Sequence, residues 1–435
     1  MTTTGQPVDA PAPHDNADGS LPVRTTVLRG VRILGGSAAD ILIRDGVIEQ
    51  VGRVTKIDRR ADTVVIDADG LVALPGLVDL HVHLREPGRE DAETVASGSA
   101  AAAVGGFTAV LAMANTSPVT DTAEAAERVL DLGRLAGLVD VQPVGAVTKE
   151  LAGQELAELG LMARSRARVR VFSDDGHCVT DARIMRRALE YVKAFGGVVS
   201  QHAQDPRLAG PDACCHESEL SGRLGLPGWP GVAEESIVAR DVMLARHTDS
   251  RVHIAHVSTA GSVEVLRWAK QQGIDVTAEV TPHHLLLTCD LVSGYDPVFK
   301  VNPPLRPPED VEALRAGLAD GTIDAVATDH APHARQDKEH AFVDAAFGMI
   351  GLETALAVVS TAMVTTGLLD WEGVARVMSV TPARIAGLGG QGRPLAVGSP
   401  GNITLVDPGA LTTVDRATSL SLARNNPWHG RTLTG

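Results

Sequence analysis

The chain has 435 residues, of which 44% are hydrophobic and 21% charged, and a formal net charge of −15. That length buries a large core, and the composition is that of an ordinary globular protein. The acidic balance argues against nucleic acid and anionic membrane as partners, no apolar run is long enough to span a bilayer, and an anionic ligand would need cations placed locally.

Residues 1–21 are rich in Thr, Pro, Asp, Ala and Gly. They lack both the apolar stretch of a signal peptide and the arginine of a transit peptide, so a disordered tail is expected. Short alternating strands follow at 27–34, 41–43, 47–51, 64–66 and 71–74, with Asp45-Gly46 as a hairpin turn.

At Pro75-Gly76 the pattern changes to strands that alternate with amphipathic helical stretches. Strands are predicted at 77–83, 107–113, 141–147, 169–172, 198–202, 251–256, 275–280 and 323–328. Helices are predicted at 92–104, 123–135, 182–195, 234–245, 263–272 and 351–366. Eight such units over about 280 residues imply an α/β fold, a closed (β/α)8 TIM-like barrel rather than an open doubly wound sheet. After Thr381-Pro382 β character returns at 402–406 and 431–433, and this tail is expected to join the N-terminal strands. The expected organisation is a tail (1–21), a barrel (76–385), and a composite β domain built from 22–75 and 386–435.

The cysteines are Cys178, Cys214, Cys215 and Cys289. In a chain this long they make no disulfide framework, which points to a reducing cytoplasm. Cys214-Cys215-His216 suggests a loop with two incidental thiols, because vicinal cysteines do not easily turn to one ion.

The chemistry gathers around residues 77–88. His81 and His83 project from one face of a strand, Arg85 continues the line, and Pro87-Gly88 ends it. Asp174-Asp175-Gly176 ends the fourth barrel strand, His202 the fifth, His256 the sixth and Asp329-His330 the eighth. Singly, each has a plain structural explanation: His202 as a satisfied core histidine, Asp329 as a helix cap. Together they converge on the mouth where barrels of this kind place their chemistry. Four imidazoles and two carboxylates exceed one tetrahedral site and suit two zinc-like ions sharing a bridge. Such a pair supports hydrolysis, or its reversal, at a carbonyl carbon.

Several motifs then point the same way. They are His81-Val-His83-Leu-Arg85-Glu-Pro-Gly88, Met113-Ala-Asn115-Thr, Phe172-Ser-Asp174-Asp175-Gly176, His253-Ile-Ala-His256-Val-Ser258-Thr, Asn302-Pro-Pro-Leu-Arg306 and Thr328-Asp329-His330-Ala-Pro-His333. Phe347-Gly348-Met-Ile-Gly-Leu-Glu353 and Asn426-Pro427-Trp428-His-Gly430 complete the set. From about 27 to 433 the chain resembles the dihydroorotases, in the longer bacterial (type I) form, of the cyclic amidohydrolase branch of the amidohydrolase superfamily.

The resemblance implies that His81, His83, Asp175, His202, His256 and Asp329 hold two divalent ions, zinc foremost, with Asp175 as the bridge. His253 shares a strand with His256 and is the weaker ligand candidate. Asp329 would be the general acid/base. His83, Arg85, Asn115, Asn302 and His333, with backbone at Phe347 and Gly348, would bind substrate. The implied reaction is the reversible cyclisation of N-carbamoyl-L-aspartate to (S)-dihydroorotate, the third step of pyrimidine synthesis. Arg85 and Asn115 suit the ring carboxylate, which supplies the local cation that the acidic chain requires.

Many relatives in this superfamily bridge their ions with a carboxylated lysine. Here the nearest lysines to the end of strand four are Lys149 and Lys193, too far to serve. Asp175 brings its own carboxylate, and Gly176 is expected to permit the close approach of the strand that a shorter bridge needs. Residues 334–346 could form a lid.

The rival functions are a dihydropyrimidinase or allantoinase, whose uncharged rings would leave Arg85 unpaired. A further rival is a non-catalytic relative that scaffolds aspartate transcarbamoylase, in which lost ligands are expected, whereas all six positions are filled here. A homodimer and an association with the transcarbamoylase stay open as partners.

Overall fold

The computed structural model describes residues 24–56 and 63–435, so the tail expected at 1–21 lies outside the described residues. Strands β1 (Thr25–Ile33), β2 (Ala38–Arg44) and β3 (Val47–Gly52) form an antiparallel meander. Asp45 and Gly46 turn β2 into β3 with φ of 48° and 76°, the left-handed pair a tight hairpin demands. β4 (Thr63–Asp67) and β5 (Val72–Pro75) both run parallel to β1. Val31, Ile41, Ile48 and Ala73 close a small core beneath this sheet.

The chain then enters the barrel. Its strands are β6 (Leu77–Val82), β7 (Phe107–Ala112), β8 (Asp140–Pro143), β9 (Val171–Phe172) and β10 (Val198–Gln201). A two-stranded excursion, β11 (Cys215–His216) with β12 (Gly228–Trp229), interrupts the run. The barrel resumes with β13 (Val252–Ile254), β14 (Val276–Val280) and β15 (Ala325–Val326).

The parallel ladders form one sheet of three strands, β6-β7-β8, and one of five, β15-β14-β13-β10-β9. Single parallel bridges close the ring at both seams, Gly145 to Phe172 and Val82 to His330. All eight predicted strands are therefore present, each shorter than predicted. The ladders stop early because the backbone past them bends to aim side chains into the mouth. Leu80, Leu111, Val144, Val171, Val198 and Ala327 fill the lower interior, so the barrel is a packed core and not a pore.

The predicted helices lie outside the ring, among them Ala123–Ala136, Ala182–Lys193 and Ala260–Gln271. Each bears an N-cap, Thr122, Asp181 and Thr259 respectively, whose side chain accepts a first-turn amide. A further helix, Pro308–Asp320, starts on proline at its first turn, where the missing amide has no partner to lose. No helix of the described residues is long and apolar enough to cross a membrane.

The C-terminal tail divides. β16 (Ile403–Val406) pairs antiparallel with β5 and joins the N-terminal sheet. The closing strand does not follow it: β18 (Thr432–Thr434) pairs instead with β17 (Leu411–Thr413). The reason is packing. Trp428 and Leu433 are buried with Leu287, Val301, Met349 and Val358, so this end of the chain is anchored on the barrel rather than on the N-terminal sheet.

Candidate active site

Six side chains from five barrel strands meet at the mouth, all of them buried. His81 Nε2 lies 3.3 Å from Asp175 Oδ2 and 3.6 Å from Asp329 Oδ1. His83 Nε2 lies 3.4 Å from the same Asp175 oxygen and 3.1 Å from Asp329 Oδ1. The other Asp175 oxygen, Oδ1, is 3.2 Å from both His202 Nδ1 and His256 Nε2, which are themselves 2.9 Å apart. Asp175 thus divides its two oxygens between two donor groups, His81 with His83 and His202 with His256.

These separations fit a metal site. Two ligands each about 2.1 Å from one tetrahedral ion stand roughly 3.4 Å apart. His81 Nε2 is buried without a hydrogen-bond partner although two carboxylates face it, and a cation among them would engage all three. Neutral imidazole with carboxylate is the donor chemistry of a borderline divalent ion.

A second layer fixes which ring nitrogen faces inward. His81 gives its Nδ1–H to Glu279 Oε1 (3.0 Å), and His83 gives its Nδ1–H to Asn115 Oδ1 (2.9 Å). His202 gives its Nε2–H to Gln204 Oε1 (2.8 Å). Each of these rings therefore turns its other nitrogen toward the carboxylates. His253 turns away from the donor groups: its Nε2 bonds the second oxygen of Glu279 (3.0 Å) and its Nδ1 bonds Thr277 (2.8 Å). It props the carboxylate that orients His81.

Burial opposes charge on Asp175, yet His81 and the imidazoles of His202 and His256 hold its carboxyl well below the ordinary range. Burial also opposes charge on His81, and the Asp175 and Asp329 carboxylates overcome it, raising His81 well above an ordinary histidine. The charges match only as a set, which is how a cation-binding cluster behaves.

The backbone is strained where it aims these groups. Arg85, His256 and Asp329 have φ of 61°, 30° and 46°, a region L-residues rarely adopt. Buried anchors hold the strain. Glu234 accepts the amides of Ser258 (3.0 Å) and Thr259 (3.2 Å), just past His256. Asp79 Oδ1 accepts the amides of His81 (3.1 Å) and Thr328 (3.0 Å), tying the first strand to the eighth across the seam. Asp174 takes no part in the donor cluster; it accepts the amides of Val147 and Thr148 and the Thr148 hydroxyl.

The residues expected to bind substrate ring the cluster. Arg85 donates Nε to Pro332 O (3.0 Å), and its terminal nitrogens have no hydrogen-bond partner among the described residues. Asn115 spends its carbonyl on His83, which leaves its amide protons for a ligand. Asn302 gives its amide to Gln204 Oε1 (3.2 Å) and keeps a buried, unpartnered Oδ1. His333 donates Nε2–H to Phe347 O (2.6 Å), so its buried Nδ1 is a free acceptor. Burial first, then the Arg85 charge, pushes His333 down to about 2, which keeps that acceptor neutral. Gly348 (φ 138°) has no room for a Cβ, which would meet Ala331 Cβ at 2.7 Å and His333 Nε2 at 2.9 Å.

Gly176 is glycine for a different reason from the expected one. Its φ is 57°, but a Cβ there would find only ordinary contact, with Asn115 Nδ2 at 3.9 Å. The turn's handedness, not a close approach, requires it. The sequence reading missed Glu279, Gln204, Asp79 and Glu234. Glu279 carried a signal, as a lone carboxylate in the apolar seventh strand; Gln204 had only its place two residues after His202.

Residues 70–262 match the family model described as Dihydro-orotase-like. The chain is 60% identical over 412 residues to the protein named Dihydroorotase of Leifsonia xyli subsp. xyli, covering 94% of this chain and 93% of that one. It is 62% identical over 410 residues to Dihydroorotase of Streptomyces coelicolor, covering 94% and 95%. Among solved structures, the L-hydantoinase (dihydropyrimidinase) of Arthrobacter aurescens superposes with a TM-score of 0.81 at 26% identity, covering 94% and 92%.

Proposed function

This chain belongs to the dihydroorotase family, and on that footing we propose that its barrel mouth opens and closes the dihydroorotate ring. In one direction water adds to the ring amide carbonyl and yields N-carbamoyl-L-aspartate; in the other the ring closes and water leaves. The observation that carries the reading is Arg85. Among the described residues its terminal nitrogens have no partner beside the donor cluster, and a guanidinium so placed calls for an anion. Dihydroorotate brings a ring carboxylate, whereas hydantoin and dihydrouracil bring none.

The donors suited to metal are His81, His83 and Asp329 on one side, His202 and His256 on the other, and Asp175 between. Two divalent ions bound there, zinc foremost, would supply Lewis acidity toward the carbonyl and lower the pKa of water. Asp329 engages only its Oδ1 with the imidazoles, and its Oδ2 has no hydrogen-bond partner among the described residues. That free oxygen would accept a proton from the attacking water and return it to the departing ring nitrogen, so atoms and charge balance. Arg85 with the Asn115 amide would hold the ring carboxylate. The Asn302 Oδ1 and His333 Nδ1, both unpartnered acceptors, would receive ring N–H groups. We assign the reaction to pyrimidine nucleotide synthesis in the cytoplasm.

Purified protein assayed on dihydroorotate, dihydrouracil and hydantoin tests this. Dihydroorotate should be preferred by at least about 100-fold in kcat/KM, since an unmatched buried charge costs several kcal/mol. A preference for an uncharged ring would sink the reading.

A further inference from the structure

Three lysines pair with carboxylates, Lys149 with Glu155, Lys193 with Asp249 and Lys270 with Asp324. Lys338 does not. Its ammonium donates to three backbone carbonyls, Ala346 O (2.8 Å), Gly348 O (3.1 Å) and Lys300 O (3.3 Å), and has no ion pair among the described residues. Burial, with the Lys300 charge nearby, pushes it down to about 7. A half-buried cation with no counter-ion is costly, so something other than charge pairing keeps it there.

What the three carbonyls share is the turn at Phe347-Gly348. Gly348 N donates to Lys300 O (2.9 Å), and Asn425 Nδ2 donates to Gly348 O (3.1 Å). Lys300 reaches back from the other side, its Nζ on Val343 O (2.7 Å) and 4.3 Å from the centre of the Phe347 ring. Phe347 O in turn accepts the Nε2–H of His333, so the turn's position decides where the His333 Nδ1 points. Lys300 lies two residues before Asn302. One ammonium therefore crosslinks the segment after His333 to the segment before Asn302.

We propose that Lys338 is a positioning residue: its ammonium clasps the Phe347-Gly348 turn to Lys300 and so presents His333 and Asn302 to the substrate. This rests on the reading of those two residues as substrate contacts. Lys338 touches no donor of the metal cluster, so its loss should weaken substrate binding and spare the chemical step. Methionine fills the same stem volume without a donor, which makes Lys338→Met the apt variant.

The test compares wild type and Lys338→Met on dihydroorotate, with zinc content and Tm checked in both. The clasp predicts a KM raised at least about five-fold with kcat changed less than about three-fold. It also predicts faster hydrogen exchange at the amides of Ala346 and Gly348 in the variant. A smaller KM change in a folded variant, or a loss carried by kcat alone, overturns it. Should the variant not fold, exchange in wild type decides: protected Ala346 and Gly348 amides without substrate support the clasp, and exchange as fast as an exposed loop overturns it. Wild type inactive on dihydroorotate would instead sink the substrate assignment itself, so the two failures are distinct.

Discussion

Asp174 and Asp175 are neighbours in the chain and face opposite tasks. Asp174 Oδ1 accepts the amides of Val147 (2.8 Å) and Thr148 (2.9 Å), while Asp175 stands among four imidazoles. Asp175→Ala should therefore lose one or both ions. Asp174→Ala should keep them and lose stability, by about 2–3 kcal/mol for the amides left unpaired. Elemental counting with a thermal melt separates the two; equal metal loss from both variants would contradict the division.

Arg85→Ala should lower kcat/KM for dihydroorotate through KM, by about 2–4 kcal/mol for a lost charge-assisted pair. Activity on dihydrouracil should survive or improve. Unchanged dihydroorotate kinetics would remove Arg85 from the carboxylate's site.

Glu279→Gln probes the layer behind the donors. Glu279 accepts an N–H from His81 and another from His253, one on each oxygen. An amide can accept only one and opposes the other with its own protons. Zinc affinity should fall about 10–100-fold with the fold retained. Competition against a chelating dye measures this, and an affinity equal to wild type would show that Glu279 does not orient His81.

His284 sets an acid limit on stability. Its Nε2–H is given to Pro303 O and Pro304 O, both at 3.2 Å, and its Nδ1 accepts the Thr281 hydroxyl at 2.8 Å. Burial holds it down to about 4. The unfolded chain takes up this proton below about 6.5 while the folded protein refuses it, so stability is lost as pH falls from about 6.5 to about 4, by roughly 1.4 kcal/mol per unit. His284→Gln should reduce the slope of the urea midpoint against pH across that window, with chelator present in both proteins. An unchanged slope would show that His284 is not the group.

The barrel was legible because its strands are apolar runs separated by helical periodicity, and the convergence of six side chains was legible because they cluster at strand ends. His81 and His83 alone could not have been told from a polar strand face; convergence made the case. Other features left no local trace of their partners. The Glu279 carboxylate serves residues on two other strands, and nothing near it in sequence shows this. Gln204 and Asn302 meet only because the fifth strand and a loop nearly a hundred residues later share the mouth. The closing strand was misplaced because strand pattern shows that a segment pairs but not with what. Its partner was settled by Trp428 and Leu433, whose burial against Val301 and Met349 is a property of the folded barrel.

The central claim is a two-ion site that Asp175 bridges with its own carboxylate and that turns over dihydroorotate. Stripping the protein with chelator and restoring zinc alone in bicarbonate-free buffer tests it most directly. The account predicts about two equivalents of zinc per chain and recovery of dihydroorotate turnover in both directions. A strict need for bicarbonate, or a zinc-loaded protein inert toward dihydroorotate, would contradict it.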